Sequence, residues 1–281
     1  MAPPPTLFDL HVHSTRSDGA YSLMQLAEMV RRSGLAGFAL TDHDAMGDPE
    51  EIALLSDRFG ITILPGVELS THAAERSVHL LGYGVDRSRE TLRELCRDLQ
   101  DQRRGRFDAY REALAKRQLR IASDLAKRLL GTASLGRRHL ARELVRAGKA
   151  TTARDAFRRY LSQIDEVPRL RTPAFAAAVG AIHEAGGVAV VAHPDSGWKS
   201  DVWHELLGSG CDGIEVDFPA ARRRHRRFLL DIVRDHDLVP TGGSDFHGDE
   251  PRSYLGQKTV PGEVLERLRE RMNTAAISAK T

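Results

Sequence analysis

Two histidines one residue apart, His11 and His13 in DLHVHSTRSDG, close a short apolar run near the start of a 281-residue chain. Successive side chains of a strand point to opposite faces, so this spacing puts both imidazoles on one face. Asp18, His43, Glu68, His79, His193, Asp245 and His247 follow in the stretches STRSDG, LTDHD, PGVELS, VHLLGYG, VVAHP and GGSDFH. Imidazole suits Zn, Mn and Fe, while carboxylates add negative charge and bridge ions. Cysteine is absent from the set, which argues against structural zinc. Nine such donors are too many for one tetrahedral ion. Two or three ions close together suit phosphoryl chemistry, because they activate a water and stabilise charge on the attacking and leaving oxygens.

What must position these donors is a series of short strands. TLFDL (6–10), GFALTDHD (37–44), ITILPGVELS (61–70), SVHLLGYG (77–84), GVAVVAHPD (187–195), CDGIEVDFP (211–219) and DLVPTGGSDFH (237–247) read as strands with their following loops. An amphipathic helix is expected over 22–33, with Ser22 as N-cap and Gly34 as stop. Another follows Asp48, with Pro49 at its first position and Gly60 as its stop. The alternation predicts an α/β fold, a parallel sheet with helical crossovers closed into a barrel. Almost every candidate donor falls at or just past the C-terminal end of its strand. In a closed parallel barrel those ends converge on one face. That coincidence carries more weight than either His-x-His or Asp-x-His alone.

The chain divides into a first barrel part (1–87), a helical insertion or cap (88–171) and a second barrel part (172–281). Net charge is +2, but residues 101–171 hold 19 Lys and Arg against 8 Asp and Glu. A basic cap is thus set into an acidic body. Cys96 and Cys211 have no metal-type spacing, MAPPPT reads as a short flexible leader, and no apolar run reaches the ~20 residues of a membrane helix. The expectation is a cytoplasmic protein with reduced thiols, no membrane contact and no obligate protein partner.

Taken in order, DLHVHSTRSDG, LTDHD, PGVELS, VHLLGYG, VVAHP and GGSDFH resemble the PHP (polymerase and histidinol phosphatase) family, related to the amidohydrolases. The resemblance covers 6–84 and 172–260. It implies a distorted seven-stranded (β/α) barrel with a trinuclear centre. By position, the first ion would take His11, His13 and Asp245, with Glu68 bridging. The second would take Glu68, His79 and His193, and the third Asp18, His43 and His247. Manganese is the ion the family suggests, with zinc and iron behind it. Asp42 and Asp44 flank His43 as orienting partners, and Glu215 is a supporting carboxylate.

The basic insert is similar to that of the 3',5'-nucleotide bisphosphate phosphatases and related 5'-end-directed exoribonucleases. A basic cap over a metal face calls for an anionic substrate, and Arg forks match phosphate oxygens. The candidates are Asp18, Arg103, Arg104, Arg106, Ser134, Arg137, His139, Lys149 and Arg158, against the alternative of a solvated helix face. The expected reaction is attack by a metal-bridging hydroxide on the 3'-phosphate of a pAp-like bisphosphonucleotide, with no side-chain nucleophile. The alternative is a 5'-to-3' exoribonuclease on short 5'-phosphorylated oligonucleotides. A metal-dependent scaffold and an amidohydrolase-type deacylase explain less, the first the nine donors and the second the basic cap. The arginine run 222–227 is expected on a barrel helix away from the strand ends, as a solvated or nonspecific anion-binding face. Trp198 is read as core or pocket wall, with stacking on a base as the alternative.

Overall fold

The computed structural model describes residues 6–119, 121–122, 124–249 and 253–278; the leader Met1–Pro5 lies outside them. The elements run β1 (Leu7–Val12), α1 (Leu23–Ser33), β2 (Gly37–Leu40), α2 (Pro49–Phe59), β3 (Thr62–Ala73), β4 (Arg76–Tyr83), α3 (Glu90–Lys116), α4 (Leu125–Arg128), α5 (Arg137–Arg146), α6 (Ala153–Arg159), a 3-10 turn (Leu161–Gln163), α7 (Phe175–Glu184), β5 (Val188–Val191), α8 (Ser200–Gly208), β6 (Gly213–Asp217), α9 (Arg223–Asp235), β7 (Val239–Gly242), β8 (Val260–Pro261) and α10 (Gly262–Ser278). The expected caps are present. Ser22 accepts from Gln25 N–H at the head of α1, Asp48 accepts from Glu50 N–H at the head of α2, and Gly34 and Gly60 end the two helices in the left-handed region.

The strands form one sheet in the order β7-β6-β5-β4-β3-β2-β1-β8. The segment after β7 bends back to β1: His13 N–H donates to Phe246 O (3.1 Å) and Phe246 N–H donates to His11 O (3.3 Å). The sheet is thereby nearly closed, as an α/β barrel. It departs from the sequence expectation in two respects. β4 runs antiparallel to both β3 and β5, as the second arm of a hairpin with β3. The two-residue β8 adds an eighth strand, antiparallel to β1.

Alternation decides what faces inward. In β3 and β4, Val67, Leu69, Val78 and Leu80 pack outward with the cluster under α7, α8 and α9. Glu68 and His79 share the opposite face with Leu64, Leu81 and Tyr83, which belong to another buried cluster. Residues of α1 and α2 pack on β1, β2 and β3 in a third.

The 27-residue helix α3 serves two cores. Its first half buries Leu92 and Cys96 against the barrel cluster. Its second half buries Phe107, Tyr110 and Leu114 with Leu135, Leu140, Leu144, Ala156 and Leu161 of the inserted helices. Cys96 and Cys211 are buried and free. No described helix is long and apolar enough to cross a membrane. The arginine run does not lie away from the strand ends. Arg222, five residues past the end of β6, is the N-cap of α9 and Arg223 is its first residue, because a crossover helix starts where its strand finishes.

Candidate metal centre

Glu68 occupies the middle of the face where the strand ends meet. Its Oε1 lies 2.8 Å from His79 Nδ1 and 2.9 Å from His193 Nε2. Its Oε2 lies 2.9 Å from His43 Nδ1, 3.2 Å from His13 Nε2 and 3.3 Å from His11 Nε2. Asp245 Oδ1 is 3.1 Å from His13 Nε2 and 3.5 Å from His11 Nε2. His247 Nε2 is 3.2 Å from Asp18 Oδ1. All nine candidate donors are thus gathered in one place. Three groups have donor atoms within 4.8 Å of one another: His11, His13, Glu68 and Asp245; His13, Asp18, His43 and His247; and His43, Glu68 and His79. The first is the set the motifs implied, and the second adds His13 to the implied third set. His193 stays with the implied partners, 3.3 Å from His79.

These residues fit divalent cations. His11 Nε2, Asp18 Oδ1, His43 Nδ1, Glu68 Oε2 and His247 Nε2 are buried with no hydrogen-bond partner among the described residues. Buried polar atoms are otherwise paired, and here five of them converge. Burial penalises the charges, yet the surrounding imidazoles hold Glu68, Asp18 and Asp245 well below the usual carboxylate range. Burial opposes a charge on His13 as well, but the carboxylates of Asp245 and Glu68 beside it push it up to about 9. The cluster therefore calls for positive charge.

A ring of carboxylates holds the donors in place. Glu215 Oε1 is 3.2 Å from His11 Nδ1, and its Oε2 accepts from His193 N–H at 2.7 Å. Asp9 accepts from Ser244 N–H (2.9 Å), Ser244 Oγ (2.6 Å) and Gly256 N–H (2.8 Å), fastening the loop that carries Asp245. Asp42 accepts from Ser14 N–H (2.8 Å) and Ser17 Oγ (2.5 Å), which fixes the loop before Asp18. Asp44 accepts from Ser70 N–H (2.7 Å) and Arg103 Nε (2.6 Å). His193 (φ 26°), Asp44 (φ 49°) and Asp245 (φ 50°) all have left-handed backbones, each a local cost of order 1–3 kcal/mol that the surrounding structure must offset. A Cβ at Gly243 would come within 2.4 Å of the His11 backbone, so only glycine lets the β7 loop approach that closely.

Above the donors lies a cleft of about 690 Å³. Asp18, His43 and His79 line it together with Arg103, Arg106, Arg137 and Arg138, and with Tyr110 and Phe157. Arg137 lies over the rings of Tyr110 (5.8 Å) and Phe157 (5.5 Å), and Arg106 over Tyr110 (5.4 Å). Arg103 reaches the cleft paired with Asp44 and Ser70.

The other candidates do not line the cleft. Arg104 is exposed, turned by about 100° from Arg103 around α3. Lys149 is exposed, and Arg158, 79% exposed, pairs with Asp155. Ser134 is buried, and His139 Nδ1 accepts from Gly136 N–H (3.1 Å), capping α5 from within. Sequence reasoning missed Arg138, which donates to Asp249 Oδ1 (2.9 Å) and stands 3.8 Å from Asp18 Oδ2. It also missed Arg76, Arg169 and Arg171 on the cleft wall. The only signal for Arg138 was its adjacency to Arg137.

A family model described as the PHP domain matches residues 9–167. A 5'-3' exoribonuclease of Haemophilus influenzae is 31% identical over 246 residues, covering 85% of this chain and 89% of its own length. A 3',5'-nucleoside bisphosphate phosphatase of Chromobacterium violaceum is 34% identical over 259 residues, covering 85% of this chain and 86% of its own length. The solved structure of a protein assigned as a metal-dependent phosphoesterase, from Bifidobacterium adolescentis, superposes with a TM-score of 0.87 at 29% identity, covering 94% of this chain and 96% of that one.

Proposed function

The chain belongs to the PHP domain family and is a hydrolase of phosphate esters; from that premise we propose that it removes the 3'-phosphate of 3',5'-bisphosphonucleotides, leaving nucleoside 5'-monophosphates. One observation carries this reading: a single cleft joins the metal donors to a cluster of arginines braced on aromatic rings. A substrate with phosphates at both ends of one nucleoside matches that layout.

Divalent ions held by the nine donors would supply a water of lowered pKa and offset charge on the phosphoryl oxygens. Manganese is the ion proposed. The chain's own residues bind and orient. Arg106 and Arg137 take the 5'-phosphate, their guanidinium planes held by Tyr110 and Phe157 so that little rotamer freedom is lost on binding. Arg138, anchored to Asp249, keeps a positive charge beside Asp18 at the junction between the two ends. Two buried free cysteines accord with a reducing cytoplasm.

A second reading has its own observation. Another cavity shares Arg76, Ser77 and His79 with the first and is bounded further by His193, Asp195 and Trp198. It offers room for a nucleotide attached beyond the scissile phosphate, as a 5'-to-3' exoribonuclease needs. The test is kcat/KM of the manganese-loaded protein on a 3',5'-bisphosphonucleotide and on a 5'-phosphorylated dinucleotide. Faster release from the bisphosphonucleotide is expected. Much faster cleavage of the dinucleotide would reverse the order of the two readings.

A further inference from the structure

Five arginines, Arg222, Arg223, Arg224, Arg226 and Arg227, crowd the start of α9. Positive charge in a first helical turn opposes the helix dipole. By contrast, α2, α3, α8 and α10 carry acidic residues in their first turns. In α9 there is no acidic residue in the first turn and no side-chain cap. Arg222, Arg223, Arg224, Arg226 and Arg227 are all exposed. Of these, only Arg226 has an acidic partner among the described residues, Asp217 at 3.5 Å.

Aromatic rings connect this basic turn to the second cavity. His225 Nε2 is buried with no hydrogen-bond partner among the described residues. Trp198, also on that wall, meets Trp203 edge to face at 5.6 Å, and Trp203 meets Phe228 at 5.7 Å. Trp203 is buried, but Trp198 is only half-buried and Phe228 is 47% exposed. A half-buried ring and an exposed one, beside arginines of which four lack an acidic partner among the described residues, match how single-stranded nucleic acid is held: bases stack and the backbone follows the charge.

We infer that the second cavity, Trp198, Phe228 and the arginines of the first turns of α9 form a track for the single-stranded RNA that continues beyond the scissile phosphate. The inference rests on the exoribonuclease reading of the same site. It extends that reading from dinucleotides to longer chains, with the 5' nucleotide in the arginine-aromatic cleft and the following nucleotides leaving past His193 toward α9.

The experiment compares the manganese-loaded wild type with R223A/R224A/R227A on three substrates: a 3',5'-bisphosphonucleotide, a 5'-phosphorylated dinucleotide and a 5'-phosphorylated hexauridylate. Circular dichroism melting reports the fold. In the wild type, kcat/KM rises from dinucleotide to hexanucleotide. In the variant it falls by roughly tenfold on the hexanucleotide alone, and the slope of log affinity against log salt, from fluorescence anisotropy, shrinks by about 2. A second variant, W198A, loses hexanucleotide affinity without changing that slope. Equal hexanucleotide rates and affinities in the wild type and the triple variant overturn the track. So does an equal fall on all three substrates. Loss of binding to phosphatidylglycerol vesicles, with oligonucleotide binding intact, overturns it and assigns the patch to a membrane surface. Hydrolysis of the bisphosphonucleotide with no affinity for the hexanucleotide defeats the track and leaves the phosphatase reading standing. No hydrolysis of any substrate, with hexanucleotide affinity retained in the wild type and lost in the triple variant, defeats the proposed function and leaves the track.

Discussion

Glu215 Oε1 lies 3.2 Å from His11 Nδ1, and both side chains are fully buried. The carboxylate therefore fixes the imidazole so that Nε2 faces Glu68 and Asp245. Supporting carboxylates of this kind typically alter metal affinity by about 10–100-fold. E215Q keeps the shape and removes the charge. It should weaken metal binding by about tenfold or more, read by competition with a fluorescent chelator, while the melting temperature of the metal-free protein stays within a few degrees. Unchanged affinity would show that Glu215 serves packing alone.

Arg137 lies over two aromatic faces and has no hydrogen-bond or ion-pair partner among the described residues, so removing it strands none of them. A charge-assisted hydrogen bond contributes about 1.5–3 kcal/mol. R137A should raise KM for a bisphosphonucleotide by about 10–100-fold and leave hydrolysis of a nucleoside 3'-monophosphate almost unchanged. R104A and R158A, whose side chains lie off the cleft, should alter neither.

Leu140 is completely buried in the core of the inserted helices. L140A should cost about 2–5 kcal/mol in that region. We expect faster proteolysis within 90–163 and a raised KM, with metal content unchanged. Loss of metal along with the insert would mean that the two cores do not fold separately.

His183 Nε2 and Asp212 Oδ2 are 2.8 Å apart, and that hydrogen bond raises the histidine above its ordinary pKa. The folded value exceeds the unfolded one, so the stabilisation is complete below about pH 6.5 and fades as pH rises through the raised value. The pair is partly exposed and contributes only about 0.5 kcal/mol. The melting-temperature gap between wild type and H183N should therefore narrow from about pH 5 to about pH 8, and a constant gap would contradict the pairing.

Much of the metal centre was legible because strand ends are marked in sequence. His11, His43 and His193 each come at the end of an apolar run, and Ser22, Asp48, Gly34 and Gly60 mark the helices between, whereas Glu68 and His79 lie inside β3 and β4. Direction was not legible. SVHLLGYG has the same period whether β4 runs up or down, and only the short Glu75 turn hinted at a hairpin. Nor was helical phase: Arg103 and Arg104 look alike in sequence, but one reaches Asp44 while the other meets solvent. Arg138 was passed over for the same reason, since nothing in RRH says which arginine faces Asp18. The arginine run was misplaced because its helix was judged apart from the strand that feeds it.

Phosphate release from a 3',5'-bisphosphonucleotide, measured on chelator-stripped protein and again after manganese is returned, tests the metal centre most directly, with E68A alongside. Glu68 touches five imidazoles, so the stripped wild type should be inactive and regain activity with more than one ion per chain, while E68A recovers neither ions nor activity. Undiminished release by the stripped protein, or by E68A, would contradict the account.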